Sequence, residues 1–238
     1  MSGLMRKRAP IANKLLAALP PGQNERLFDR LITVTLPAGA VLCKPGARAQ
    51  HAYFLINGLA SLISTTEEGN VIEIGIIGNT GIIGTPIILR GKANPYGVAM
   101  SIAGEAMMVE ASVLREEFDR GGKLQNMLLR FADLLLSQLS LISPCNRFHT
   151  VEQRLCRWLL AAYDQTQLDN FQLTQEFIAQ NLGVSRPNIS LAAGHLQRAG
   201  LIRYRRGEII LLNRKGLEKA ACACYWLLKE EMEYFLNG

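Results

Sequence analysis

From Leu31 to about Val109 six short runs, LITVTL, HAYFLI, LASLIST, VIEIGII, GVAMSIA and AMMVE, alternate with the turn signals PAG, KPG, NG, EEGN, GNTG and KANPYG. The runs are rich in β-branched and apolar residues, and the breaks between them carry Gly, Pro and Asn, residues that reverse a chain. Many short strands at near-regular spacing predict an antiparallel sandwich or barrel of jelly-roll type. Gly58, Gly69, Gly75, Gly78, Gly81 and Gly84 crowd this region. They permit tight corners and close backbone approach to something inside.

Outside the strands the period changes to that of a helix. Residues 1–30 read as helical, with Leu15, Leu16, Leu19, Leu27 and Phe28 as anchors around a break at Pro20-Pro21-Gly22. Ser112 opens a short acidic helix, SVLREEF, and a long helical stretch follows Gly121-Gly122. Leu124, Met127, Phe131, Leu134, Gln138, Leu141 and Cys145 recur there at alternating steps of three and four, a heptad seam. Leu128, Leu135, Leu139 and Ile142 form a neighbouring stripe. One stripe packs on the β-region and the other needs a partner. The expected partner is a second copy, with Leu124, Met127, Phe131, Leu134, Gln138 and Leu141 at the dimer interface and Gln138 fixing its register. A buried core helix is the alternative. Pro144 is expected to end this helix, leaving Ser143–Phe148 as a hinge. Thr150-x-x-Gln153 then reads as a capping box for the helix VEQRLCRWLLAAYDQ. The predicted class is α+β, divided as 1–122 (β-roll with flanking helices), 123–148 (dimerisation helix and hinge) and 149–238 (a smaller second domain).

The second domain carries TQEFIAQNLGVSRPNISLAAGHLQRAGLI from Thr174 to Ile202. Thr174 caps a helix with Phe177, Ile178 and Leu182 on one face, and Leu182-Gly183-Val184 supplies a tight turn. Ser185 caps a second helix with Ile189, Ala192, Ala193 and Leu196 inward. Pro187 falls in its first turn, where the backbone N–H has no intrahelical partner and the fixed φ suits a helix. This is a helix-turn-helix pattern, whose second helix is free to reach base edges. LIRYRRGEIILL then reads as two strands about a turn at Arg206-Gly207, a wing with arginines near its tip, and Asn213 caps a last helix running to about Leu236.

Charge points to the same partner. The net charge is +6. Arg186, Arg198, Arg203, Arg205, Arg206, Arg214, Lys215 and Lys219 crowd one short window against only Glu208 and Glu218. A local excess of this kind favours a polyanion. The five cysteines, Cys43, Cys145, Cys156, Cys222 and Cys224, are odd in number and irregularly spaced. That argues against a disulfide framework and for a reducing, cytoplasmic setting. Cys222 and Cys224 lie two apart on an expected helix, pointing to different faces, so no metal site is predicted. Apolar runs such as Phe131–Leu136 stop well short of the roughly 20 residues a membrane span needs. No secretory signal pattern is visible at the N-terminus. The three histidines, His51, His149 and His195, are scattered, which counts against a cupin-like metalloenzyme, the one enzyme class such a β-roll would suggest.

With these motifs in place, the chain resembles the cyclic-AMP receptor protein / fumarate-nitrate regulator (Crp/Fnr) family of bacterial transcription factors over nearly its full length. HAYFLINGLASLISTTEEGNVIEIGIIGNTGIIGTP resembles the family's effector-binding β-roll, the helix from Leu124 its dimerisation helix, and TQEFIAQNLGVSRPNIS its DNA-reading motif. The resemblance implies a homodimer on a near-palindromic site in double-stranded DNA, acting through contact with RNA polymerase, with no catalytic residues and no membrane partner. It places Arg186 as the guanine-reading arginine. Asn188 and Ser190 are the remaining polar candidates in the groove, Thr174, Gln175 and Ser185 are phosphate contacts at helix starts, and Arg203, Arg205 and Arg206 help from the wing. Family members often follow the first arginine with an acid and set a second arginine four residues beyond; here those places hold Pro187 and Leu191, so a different half-site is expected.

The expected effector pocket departs too. Cyclic-nucleotide binders of the family carry Gly-Glu, the Glu holding the ribose hydroxyl, and about ten residues on an Arg-Ser pair for the phosphate. Here Gly84 precedes Thr85 and the later site reads Pro95-Tyr96, while Arg90 and Lys92 sit in an expected solvent loop. A buried phosphate needs an arginine or a backbone nest, so little or no cyclic-AMP binding is predicted. The alternative is a cyclic-nucleotide-gated regulator with a non-standard pocket. Residues 1–30 contain no cysteine, which removes the iron–sulfur branch. His51 and Cys43, the lone candidates for a haem ligand, read as structural. No cofactor is expected; another small-molecule effector, or none, remains open.

Overall fold

The computed structural model describes residues 12–22, 24–91 and 93–237. The part of the expected N-terminal helical region before Ala12 lies outside them, as does Lys92. Two single-turn helices, α1 (Lys14–Ala17) and α2 (Glu25–Phe28), precede the strands β1 (Ile32–Leu36), β2 (Val41–Cys43), β3 (His51–Leu55), β4 (Leu59–Thr65), β5 (Val71–Ile77), β6 (Gly97–Ile102) and β7 (Gly104–Glu110), with α3 (Thr85–Ile88) between β5 and β6. The strands form two antiparallel sheets, β1-β7-β3 and β2-β6-β4-β5. Alternation places Ala52, Phe54, Leu62, Val98, Met100 and Ala106 in the space between the sheets. All six predicted runs are strands. Only the three-residue β2 is additional.

After α4 (Ala111–Asp119) comes α5 (Gly122–Phe148). Here the structure corrects two expectations. Pro144 does not end α5; the helix runs through it to Phe148. Proline removes one intrahelical bond, to the carbonyl four residues back. That residue is Ser140, which is exposed, while burial of Cys145 anchors the following turn. The second correction concerns the heptad seam. Leu124, Met127, Phe131, Leu134 and Gln138 are not a surface for a second copy, because all five are buried inside their own protomer. The first four join the core of the roll. Phe131 lies where a Cβ on Gly81 would come within 2.2 Å, so only glycine allows helix and roll this close. Gln138 accepts from the Ile76 N–H at 3.4 Å rather than from a partner, and Leu141 is half-buried. The face left open carries Leu129 and Leu136, 46% and 62% exposed and one heptad apart, with Leu139 half-buried beside them. By length and composition α5 could also cross a membrane, but its apolar side is occupied by the roll.

The chain continues through α6 (Val151–Thr166), β8 (Asn170–Gln172), α7 (Gln175–Leu182), α8 (Arg186–Arg198), β9 (Ile202–Arg205), β10 (Glu208–Leu211), α9 (Arg214–Ala220) and α10 (Cys224–Asn237). The Thr150/Gln153 capping box is formed in both directions. A second core gathers Leu155, Trp158, Leu159, Ile178, Leu182, Ile189, Leu196, Ile202 and Ile209, and takes in Leu59 and Ile76 from the roll. The expected single last helix is two helices. Asn213 caps α9, and the chain turns extended at Ala221 before α10 begins at Cys224. This break undoes the expectation that Cys222 and Cys224 diverge: they sit across a corner, and their sulfurs converge with Cys145 and His149.

Candidate nucleic-acid interface

Thr174 starts α7 from extended backbone, and its hydroxyl accepts from the Phe177 N–H at 3.1 Å. Gly183 closes α7 at φ +60°, a conformation costly for any residue with a Cβ. Ser185 occupies the N-cap of α8 in extended backbone, but its hydroxyl makes no capping bond, which leaves it available to an outside acceptor such as a phosphate. Pro187 lies in the first turn of α8 as expected. Ile189, Ala192, Ala193 and Leu196 are buried, and Arg186, Pro187, Asn188, Ser190 and Leu191 remain exposed, Leu191 at 59%. An apolar side chain held open between polar neighbours suits contact with a thymine methyl. Ser190 donates to Gln175 Oε1, tying α8 to the start of α7; these two candidates engage each other.

The wing is fastened to both helices. Arg205 pairs with Glu208 across a two-residue turn, with Arg206 at φ 53° and Gly207 at φ 81°, the left-handed pair that matches the twist of a hairpin. The Leu173 N–H donates to the Gly207 carbonyl at 2.6 Å, placing the wing tip against the start of α7. Tyr204 donates its hydroxyl to the Leu173 carbonyl at 3.2 Å and its N–H to Gln197 Oε1 at 2.7 Å. Burial raises the Tyr204 hydroxyl above its usual pKa, opposed by a hydrogen bond at Gln175 and by the Arg186 charge. Thr174, Gln175, Arg186 and the wing therefore share one neighbourhood, with Arg203, Arg205 and Arg206 exposed around it. Tyr204 as a bolt, and β8 as a third strand in the order β8-β10-β9, escape sequence reading because both are single short features.

The back of the motif docks on the roll. Buried Asn181 donates to Glu73 Oε2 at 3.2 Å, Trp158 Nε1 donates to Glu73 Oε1 at 2.7 Å, and Ser61 donates to the same carboxylate. Burial pushes the Glu73 carboxyl up to about 7, against the opposing effects of the Ser61 hydrogen bond, the Arg157 charge and the Trp158 hydrogen bond. A Cβ on Gly183 would lie 2.7 Å from Ile72 of β5, so the turn of the motif touches the roll directly. The signal in the sequence is the acid in VIEIGII, a carboxylate within an otherwise apolar strand, which requires partners once it is buried.

The predicted effector pocket is nearly filled. Gly84, Thr85 and Tyr96 line it with Cys43, His51 and Tyr53, around a cavity of about 10 Å³, room for roughly one water. Pro95 does not line it: Pro95 is exposed, and the buried Asn94 takes its place, donating to Cys43 Sγ. Arg90 faces solvent, 3.4 Å from Asp119. A larger cavity of about 180 Å³ lies where β5, α5, α6 and α10 meet, lined among others by Glu73, Gln138, Arg157, Asp164 and Tyr225.

Residues 153–220 match the family model of a Crp-like helix-turn-helix domain, and residues 33–120 that of a cyclic nucleotide-binding domain. Transcriptional regulator SdrP of Thermus thermophilus is 29% identical over 202 residues, 79% of this chain and 94% of that protein. FixK2 from Bradyrhizobium japonicum shares the fold with a TM-score of 0.69 at 15% identity, covering 81% of this chain and 98% of FixK2. The c-di-GMP-responsive global regulator CLP of Xanthomonas campestris does so at 0.61 and 17% identity, covering 79% and 97%.

Proposed function

Because the chain belongs to the Crp/Fnr family of DNA-binding transcription regulators, we propose that it works in the cytoplasm as a homodimer on a near-palindromic promoter site, in contact with RNA polymerase, and does not respond to cyclic AMP. The observation that carries this reading is the exposed row Arg186, Asn188, Leu191 on α8, beside an uncommitted Ser185 hydroxyl and the arginines of the wing. Arg186 reads a guanine through its bidentate guanidinium, Asn188 suits an adenine, and Leu191 packs on a thymine methyl. Thr174, Gln175 and Ser185 with Arg203, Arg205 and Arg206 hold phosphates and fix the register. Dimerisation is assigned to the face of α5 that carries Leu129 and Leu136. Footprinting on upstream DNA tests the reading. Arg186→Ala is expected to cost about 1–3 kcal/mol on the specific site and to relax preference at one base pair; an equal loss on random DNA would remove its base-reading role.

The silent response to cyclic AMP rests on the missing Glu and Arg and on the filled space at Gly84–Tyr96. Calorimetry at millimolar cyclic AMP is expected to show no heat of binding. The cavity beside Glu73 has more room for a small-molecule effector than the roll, and a ligand seated there would touch both domains at once.

A further inference from the structure

The last turn of α5 carries Cys145 and, at its C-cap, His149, four residues apart and so on one face. The corner between α9 and α10 carries Cys222, outside any helix, and Cys224, the first residue of α10. Their donor atoms, three Sγ and one imidazole nitrogen, all lie within 4.8 Å of one another. Cys145 Sγ is 3.6 Å from Cys222 Sγ, and Cys224 Sγ is 3.7 Å from His149 Nδ1. A tetrahedral zinc ion with Zn–S near 2.3 Å and Zn–N near 2.0–2.1 Å sets ligand-to-ligand edges of about 3.5–3.8 Å. The two measured distances match those edges. A polynuclear iron–sulfur cluster would interpose its own bonds and hold the four donors further apart.

The surroundings fit a thiolate-rich ion. Cys145, Cys222 and Cys224 are buried, as closed structural sites require, and all three thiols are free of disulfides. Three thiolates around a dication leave one negative charge. Arg157, buried in α6, lies within electrostatic reach of all three sulfurs, and buried Arg154 within reach of Cys145 and Cys222. The Nε of each guanidinium is buried with no hydrogen-bond partner among the described residues, so both cations have attraction to spare.

We propose that Cys145, His149, Cys222 and Cys224 hold a single zinc ion, which clasps the end of α5 to the corner of the DNA-binding domain. Loading releases to solvent the protons that the three thiols still hold and takes His149 in its neutral form through Nδ1. No electron transfer is involved. The ion joins the helix that leaves the roll to the element that closes the winged domain.

The test uses untagged full-length protein purified under reductant without chelator. Elemental analysis is expected to find one zinc per chain. After chelation, cobalt titration should saturate at one equivalent, with thiolate-to-cobalt charge transfer and intense tetrahedral d–d bands. Cys222→Ser and Cys224→Ser should lose stoichiometric metal, while Cys43→Ser in the roll keeps it. Zinc added back to the apo wild type should raise its Tm. Folded wild type with neither zinc nor a cobalt–thiolate spectrum would overturn the assignment. So would acid-labile sulfide with iron, or a Cys145–Cys222 disulfide that persists in the absence of metal. Because wild-type metal content and the cobalt spectrum are read directly, a variant that fails to fold leaves the outcome decided.

Discussion

The roll and the winged domain each match a family model, but one is closed and the other open. In the roll, Tyr96, Tyr53 and His51 fill the space around Gly84 and Thr85, leaving about 10 Å³. On α8, Arg186, Asn188 and Leu191 stay exposed, and the Ser185 hydroxyl is uncommitted. The fold of a roll depends on alternation and turns spread over seven strands, whereas its ligand site depends on a few polar residues at one corner. The scaffold therefore tolerates other residues at that corner. A helix of this kind makes the separation by face instead of by segment, because its fold needs only the inward face and leaves the outward one free for contacts.

The largest effect expected on this contrast is in the closed half. Phe131, buried against Gly81 and 5.8 Å from the Phe235 ring, is core, so Phe131→Ala should cost about 3–5 kcal/mol in chemical denaturation. Leu136→Glu on the open face of α5 should leave that stability within about 0.5 kcal/mol and instead shift the proposed dimer to monomer in sedimentation. The reverse pattern would return the heptad seam to the interface.

Next is the joint between the halves. Glu73, with its carboxyl raised to about 7, keeps a proton in the folded state that the unfolded chain gives up near pH 4.3. Its contribution is complete below about pH 4 and is lost as pH rises through about 7, on the order of 3 kcal/mol. Glu73→Gln should flatten the fall in stability between pH 5 and 7.5. An unchanged slope would place the titration elsewhere. Smallest is the wing: Arg205→Ala should weaken all DNA sequences alike by less than about 1 kcal/mol and lower the salt slope by about one. A sequence-selective loss would make the wing a reader.

Much of this arrangement is legible in the sequence because its signals are local. Turn residues bracket each strand of the roll, Thr150 and Gln153 cap α6, and Gly183 marks the turn of the motif. What escaped depends on contacts between distant segments. A heptad count identifies the apolar positions of α5, but Leu124 and Leu129 are both leucines, and only the position of the roll decides which is inside. Nothing in KGLEKAACACYWLLKEEM announces a break at Ala221, because the run holds no proline and its glycine lies in α9. The convergence of Cys222 and Cys224 with Cys145 and His149 was hidden for the same reason. Glu73 needed Asn181, more than a hundred residues away.

At the wing tip, Arg206 holds a left-handed backbone, φ 53°, that glycine or asparagine would adopt more easily. Stability-guided engineering would select Arg206→Gly or Arg206→Asn, and the thermal melt would reward it. The same change would withdraw a cation from the tip, so, on the proposed phosphate-holding role of the wing, screening this protein for heat resistance alone would select weaker DNA binders.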